Sequence, residues 1–107
     1  MSSVQLVRSF LKAQNLEQLG DLDAAIKLYE EIIAAGFDAG GPYDRLIHIY
    51  SSRSEHVEVM RVAESALGAV KTYEDKKDWY RTMRERAEAA AANVPRAAPK
   101  ARAEEGP

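Results

Sequence analysis

Apolar side chains recur at intervals of three and four residues along most of the chain. Near the N-terminus this spacing holds for Leu6, Phe10, Ala13 and Leu16. It places the apolar residues on one face of an α-helix. Alternating apolar and polar runs bounded by turn residues, which are typical of β-strands, are nearly absent. The pattern therefore predicts an all-α fold.

Residues that begin or end helices divide this pattern into five segments. Gly20 and Gly36 are expected to end the first and second helices, because glycine adopts the left-handed conformation of a helix C-terminus without strain. Asp21 can cap the second helix, and Pro42 suits the first turn of the third. The segment SSRS, residues 51–54, ends the third helix. We expect helices over about residues 3–19, 21–35, 42–50, 55–70 and 76–92.

The inward face of each later helix follows from the same spacing. The predicted core residues are Leu22, Ala25, Ile26, Tyr29, Ile32 and Ile33 on the second helix, Leu46, Ile47, Ile49 and Tyr50 on the third, Val59, Met60, Ala63, Ala66 and Leu67 on the fourth, and Tyr80, Met83, Ala87 and Ala90 on the fifth.

The first two helical hairpins match when the chain is shifted so that Gly20 falls on Ser54. Ala25 then falls on Val59, and the other core positions fall on core positions without a gap. A regular period of this kind indicates repeated helical units that stack side by side. The alternative is a plain antiparallel bundle in which the match arises by chance.

The centre of the first hairpin resembles a tetratricopeptide repeat (TPR), a helix–turn–helix unit whose period of about 34 residues equals this shift. Gly20 and Asp21 stand between the helices, the small Ala25 and the aromatic Tyr29 follow, and Ala13 resembles the small residue of the first helix. The resemblance covers about residues 5–92. It implies antiparallel hairpins stacked as a short right-handed solenoid of five helices.

The second repeat departs from the family pattern. Ser54 replaces the glycine, Val59 the small residue and Ala63 the aromatic. The fifth helix resembles the terminal helix that caps a repeat array. The resemblance thus divides the domain, residues 1–92, into repeats over about 8–41 and 42–75 and a capping helix over 76–92. Residues 93–107, rich in Ala, Pro and charge, are expected to be a disordered tail.

Length and composition exclude several classes of function. A chain of 107 residues is long enough for one small domain. A net charge of −2 gives no general attraction to nucleic acid or anionic membranes, and the absence of cysteine excludes disulfides and thiolate chemistry. Because the sequence has no signal peptide and no apolar run near the roughly 20 residues of a membrane span, we expect a cytoplasmic protein.

Residues that often serve catalysis are present but form no recognisable set. His48 and His56 lie on different predicted helices and lack carboxylates at ligand-like spacing. No nucleophile motif surrounds the serines of residues 51–54, and no Lys-Ser or Lys-Thr follows the glycines of residues 36–42. The sequence predicts a non-catalytic protein without metal or cofactor.

Stacked hairpins would form a concave face from the first helix of each pair and the fifth helix. Polar or aromatic residues beside the core stripe are the expected contacts for a protein or peptide: Phe10, Gln14, Glu17, Asp44, Arg45, His48, Ser51, Asp78, Trp79 and Thr82. Trp79 is the leading candidate, because binding energy concentrates in Trp, Tyr and Arg, although it could simply pack on the third helix. The family's Lys and Asn clamp for a peptide carboxylate is not expected, since Phe10 and Gln14 stand in those positions.

Two alternatives remain open. Val4, Val7 and Leu11 lie beside the core face of the first helix, where a terminal repeat normally is polar, so the chain could self-associate as a homodimer or assembly subunit. Basic residues of the fifth helix could instead contact nucleic acid phosphates. That interpretation is less favoured, since acidic residues interleave with them and the pairs Arg81–Glu85 and Arg84–Glu88 have helical spacing.

Overall fold

The computed structural model describes residues 2–93, which form five α-helices and no strand. The helices are α1 (Ser3–Gln18), α2 (Leu22–Ala34), α3 (Gly41–Ser52), α4 (His56–Ala69) and α5 (Glu74–Asn93). The predicted all-α class and five helices are confirmed for this part of the chain. Of the predicted tail, Asn93 is the last residue of α5, and residues 94–107 lie outside the described residues.

The helices pack mainly on their neighbours in sequence. The extensive contacts join α1 to α2, α2 to α3, α3 to α4 and α4 to α5. Across residues 2–93, none of these helices has both the length and the apolar character needed to cross a bilayer.

The core contains most of the residues that the helical spacing predicts. Ala13, Ala25 and Tyr29 are completely buried where α1 meets α2. Some predicted core residues are only partly buried and pack at the edge of the core: Leu16, Leu22, Ile26, Met60, Leu67 and Met83. These side chains lie at the borders of their apolar stripes.

Tyr43, Val62 and Val70 are buried although the spacing did not predict it. Tyr43 and Val62 belong to helices with a neighbour on two sides, since α3 packs on α2 and α4 and α4 packs on α3 and α5. Such helices bury more than one stripe. The Tyr43 hydroxyl donates a hydrogen bond to the Phe37 carbonyl at 2.7 Å, so its burial leaves no unpaired hydroxyl.

The turns between α1 and α2 and between α3 and α4 share one backbone geometry. Gly20 and Ser54, which the sequence shift superimposes, both have positive φ, +86° and +57°. The residues that follow also agree, with φ −87° and ψ 72° at Asp21 and φ −88° and ψ 73° at Glu55. In each turn this following residue donates its N–H to the carbonyl five residues back, at 3.0 and 2.9 Å. The sequence match at the turns therefore corresponds to a match in conformation.

Reciprocal substitutions at the two turns are expected to change stability in opposite directions. A left-handed conformation costs a residue with a Cβ about 1 kcal/mol, so Ser54→Gly should raise the free energy of unfolding by about 0.5–1 kcal/mol. Gly20→Ala should lower it by about 1 kcal/mol, and purely through conformation, because no atom lies within 4 Å of the added Cβ. Chemical denaturation of both variants measures this, and a shift of the same sign in both would contradict the shared geometry.

Candidate partner-binding face on α1, α3 and α5

Three predicted site residues lie along one side of α3, and each lines a different shallow depression. Arg45 borders one of about 310 Å³ towards α1. His48 borders one of about 460 Å³ towards α5. Ser51 borders one of about 210 Å³ between α4 and α5. The three residues lie on one side of α3 because they are spaced three apart on a helix. Since their depressions reach towards α1 and α5, α3 is the centre of the candidate face.

Glu17 and Arg45, both predicted to contact a ligand, bind each other across α1 and α3. Glu17 Oε1 accepts hydrogen bonds from Tyr29 Oη at 2.8 Å and Arg45 Nε at 3.1 Å, and Glu17 Oε2 contacts Arg45 Nη2. The bidentate guanidinium, followed by the Tyr29 hydroxyl, holds the pKa of Glu17 below its usual value against the opposing effect of burial. This ion pair therefore connects the first hairpin to the second. Gln14 also lines the depression beside it.

Asp44 connects α3 to α5. Its Oδ1 accepts a hydrogen bond from Tyr80 Oη at 2.7 Å, and its Oδ2 pairs with Lys76 Nζ at 2.8 Å. Tyr80 is completely buried, and burial followed by this hydrogen bond raises the pKa of its phenol. A Cβ on Gly40 would lie 2.8 Å from Tyr80 Oη, so the absence of a side chain there makes room for the contact.

Among the residues that the structure describes, the arrangement of a buried tyrosine, a carboxylate and a cation occurs three times. In each case a buried tyrosine donates to a carboxylate that also pairs with a cation, and the cluster joins two or three helices. The three clusters are Tyr29–Glu17–Arg45, Tyr50–Glu30–Arg61 and Tyr80–Asp44–Lys76. Burial and the hydrogen-bonded carboxylate raise the pKa of all three phenols. Such satisfied polar networks fix how neighbouring helices pack.

Trp79 is partly buried against the core and borders the depression at His48. Its ring meets the Tyr80 ring edge-on at 5.4 Å between centroids, and Lys76 Nζ lies 4.4 Å from its centroid. The exposed His48 ring lies 5.8 Å away. Of the two adjacent aromatics, Tyr80 enters the core and Trp79 stays at its margin. The structure thus gathers His48, Lys76 and Trp79 at one point.

The other predicted site residues have separate surroundings. Phe10 packs on the start of α3, where a Cβ on Gly41 would come within 2.5 Å of its ring, and it lies 6.0 Å from the Tyr29 ring. Asp78 pairs with Arg81 at 2.6 Å. Thr82 is partly buried. Phe10 is therefore a packing residue between hairpins more than an open contact surface.

Sequence reasoning missed Lys76, Met83 and Arg86 as parts of this face. Lys76 and Arg86 were considered only among the basic residues of the fifth helix, and Met83 only as a core residue. In the structure Lys76 lines the depression at His48, and Met83 and Arg86 line the one at Ser51. Their spacing from Trp79, at three, four and seven residues, is the signal that places them on one side of α5.

The ion pairs predicted within α5 are wrong. Arg81 pairs with Asp78 and Glu74, and Arg84 with Glu64 at 3.8 Å. Arg84 is drawn to a carboxylate on α4, which a one-helix spacing rule does not include.

The α1 residues predicted for self-association are exposed. Val4 is 60% exposed, Val7 47% and Leu11 58%. Val4 and Val7 line a shallow apolar depression of about 370 Å³ together with Arg8. These side chains lie outside the core, as expected.

Among residues 2–93, no three His, Asp or Glu side chains come together in a group that could hold a metal ion. Comparisons of the chain with models of protein families, with curated proteins and with solved structures give no match.

Proposed function

We propose that the chain is a non-catalytic module that binds a protein or peptide on the face formed by α1, α3 and α5. The observation that carries this proposal is the cluster of His48, Lys76 and Trp79 around an open depression. Tryptophan is the residue type in which binding energy most often concentrates. Lys76 and Tyr80 hold this one in place, so little side-chain freedom is lost on binding.

The proposal includes a TPR-like arrangement of two stacked hairpins and a fifth helix. The equal turns at Gly20 and Ser54 support it. So do the helix limits, since the same shift places the last residue of α1 on the last residue of α3 and the first residue of α2 on the first residue of α4. In such an array the first helices of the units lie side by side and form a continuous binding surface.

The charges near the cluster are largely satisfied within the chain. Arg45 pairs with Glu17, and Lys76 with Asp44. A ligand therefore meets a surface of fixed shape with few unpaired charges, and its recognition depends on Trp79 and on the depressions beside it. A ligand held mainly by a single strong charge fits this face less well.

Trp79→Ala should weaken binding to a purified partner by at least about tenfold. The partner is first identified by affinity capture from the native cell, and titration calorimetry then compares the wild-type chain with the variant. The matched control is Tyr73→Ala, which removes an aromatic that is 84% exposed outside the depression. Since Trp79 also touches the core, His48→Ala serves as a second variant at an exposed position. Unchanged affinity in both Trp79→Ala and His48→Ala would contradict the proposal.

A further inference from the structure

The outer side of α1 carries an apolar stripe made of Val4, Val7 and Leu11. All three side chains are about half exposed or more. They follow the spacing i, i+3 and i+7, which places them on one side of the helix over about two turns. The depression at its N-terminal end has an apolar surface. The stripe is therefore the right shape to pack against one side of another helix.

Two basic side chains follow the edge of this stripe. Arg8 lies one turn after Val4, and Lys12 lies one turn after Arg8 and next to Leu11. Both are exposed, and neither has a carboxylate within salt-bridge distance in the described part of the chain. The one acidic residue of α1, Glu17, is bound to Arg45. Within residues 2–93, the surface beside the stripe thus has positive charge that no carboxylate compensates.

The internal repeat indicates that a further hairpin cannot stack on α1 as the first hairpin stacks on α3. The shift that superimposes the two hairpins places Arg8 on Pro42 and Lys12 on Leu46, and both residues of α3 are completely buried. α3 has a hairpin before it to bury these positions. A hairpin stacked on α1 in the same manner would bury two cations, which is costly without partners. Arg8 and Lys12 nevertheless leave the apolar side chains of the stripe exposed.

We propose that the α1 stripe binds the apolar side of an acidic amphipathic helix from a partner protein. Three apolar side chains of that helix cover the stripe, and Asp or Glu residues beside them pair with Arg8 and Lys12. Charge complementarity favours this occupant over a second copy of the chain, because pairing α1 with itself brings like charges together. The inference is independent of the proposed role of Trp79.

The test is selection of helical peptides of about four turns, displayed on phage, against the purified chain. Apolar residues are varied at positions i, i+3 and i+7, and the flanking positions are varied among Asp, Glu, Lys, Arg and Ser. We expect enrichment of peptides with acidic flanks. A synthetic copy of the most enriched peptide should bind at least about tenfold more tightly than its counterpart with Lys flanks, as measured by fluorescence anisotropy.

Variants locate the binding on the stripe. The double variant Arg8→Glu/Lys12→Glu should reverse the charge preference, and Leu11→Ser should abolish detectable binding. Lys27→Glu, a reversal of a single charge at an exposed position of α2, and Trp79→Ala should leave the affinity unchanged. Binding that Trp79→Ala abolishes would instead place the peptide at the depression beside Trp79.

Four results would overturn the inference. One is enrichment of peptides no greater than that obtained with the Leu11→Ser chain. Another is enrichment of peptides whose flanking residues are Lys or Arg. The third is a dimer of the wild-type chain in sedimentation equilibrium that Leu11→Ser dissociates, because the stripe would then belong to a second copy. The fourth is binding to vesicles of phosphatidylserine and phosphatidylcholine that Arg8→Glu/Lys12→Glu removes.

Discussion

Tyr29→Ala is expected to lower the free energy of unfolding by about 3–5 kcal/mol. Tyr29 is completely buried and belongs to the same core cluster as the small Ala13 and Ala25 of the first hairpin. Its removal opens a cavity, takes away a neighbour of the Phe10 ring and deprives Glu17 of a hydrogen bond at 2.8 Å. A domain of this size is typically stable by about 5–15 kcal/mol, so the variant should be close to unfolding at room temperature.

Two further tyrosine substitutions separate the causes of this loss. Tyr29→Phe keeps the ring and removes only the hydroxyl, and should cost about 1–2 kcal/mol. Tyr73→Ala, at a position that is 84% exposed, should change stability by less than about 0.5 kcal/mol. Urea denaturation followed by circular dichroism measures all three. A loss in Tyr29→Ala no greater than that in Tyr73→Ala would show that Tyr29 does not fill the first hairpin.

Gly40→Ala should lower the free energy of unfolding by about 2 kcal/mol, an unusual result for the loss of a glycine near a helix start. The added methyl group would lie 2.8 Å from Tyr80 Oη, at the end of a rigid and completely buried ring. Either the ring or α3 must move, and the hydrogen bond from Tyr80 to Asp44 is weakened. The effect therefore measures how closely α5 packs on the start of α3.

A double-mutant cycle with Tyr80→Phe identifies this contact as the cause. Because Phe lacks the hydroxyl, Gly40→Ala should cost about 1 kcal/mol less in the Tyr80→Phe background than in the wild-type chain. The control is Gly68→Ala, at a helical glycine with no atom within 4 Å of the added Cβ, which should stabilise the chain by about 0.5–1 kcal/mol. Additive effects in the cycle would contradict the packing of Tyr80 against Gly40.

Local signals in the sequence are sufficient to predict the helices and the turns. Gly20 and Asp21 act through their own backbone and side chain, and the Asp21 side chain does accept a hydrogen bond from the Ala24 N–H. The spacing of Ala13, Ala25 and Tyr29 identifies the residues that are buried, since it depends only on the geometry of one helix. Ser54 shows the limit of residue type as a signal, because it adopts the conformation for which glycine is preferred.

The contacts between hairpins could not be predicted in the same way. Glu17 and Arg45 are 28 residues apart, and Asp44 and Tyr80 are 36 apart. Helical periodicity gives the side of each helix on which a residue lies, but the distance between two helices depends on the small residues and caps that set their approach. For this reason the sequence did not predict that Glu17 pairs with Arg45 and Asp44 with Tyr80, and the assignment of Glu17, Arg45 and Asp44 to a ligand-contacting face stays a prediction.

Trp79 illustrates what the sequence could not predict about the candidate site. Because neighbouring residues on a helix point in different directions, only one ring of Trp79 and Tyr80 can enter the core fully. Tyr80 is the buried ring, and Trp79 lies at the margin of the core. Its neighbours His48 and Lys76 come from α3 and from the preceding turn of α5. Only the packing of α5 on α3 brings them together, so the candidate site emerges from the fold and not from a motif.

The proposed side-by-side arrangement of α1, α3 and α5 is tested most directly by nuclear Overhauser effects from two aromatic rings. Phe10 lies against Gly41, and Tyr80 lies against Gly40. We predict cross-peaks from the Phe10 ring protons to the Gly41 Hα protons and from the Tyr80 ring protons to the Gly40 Hα protons. Absence of both, with the two rings in contact with other residues, would contradict the arrangement of hairpins on which the binding face depends.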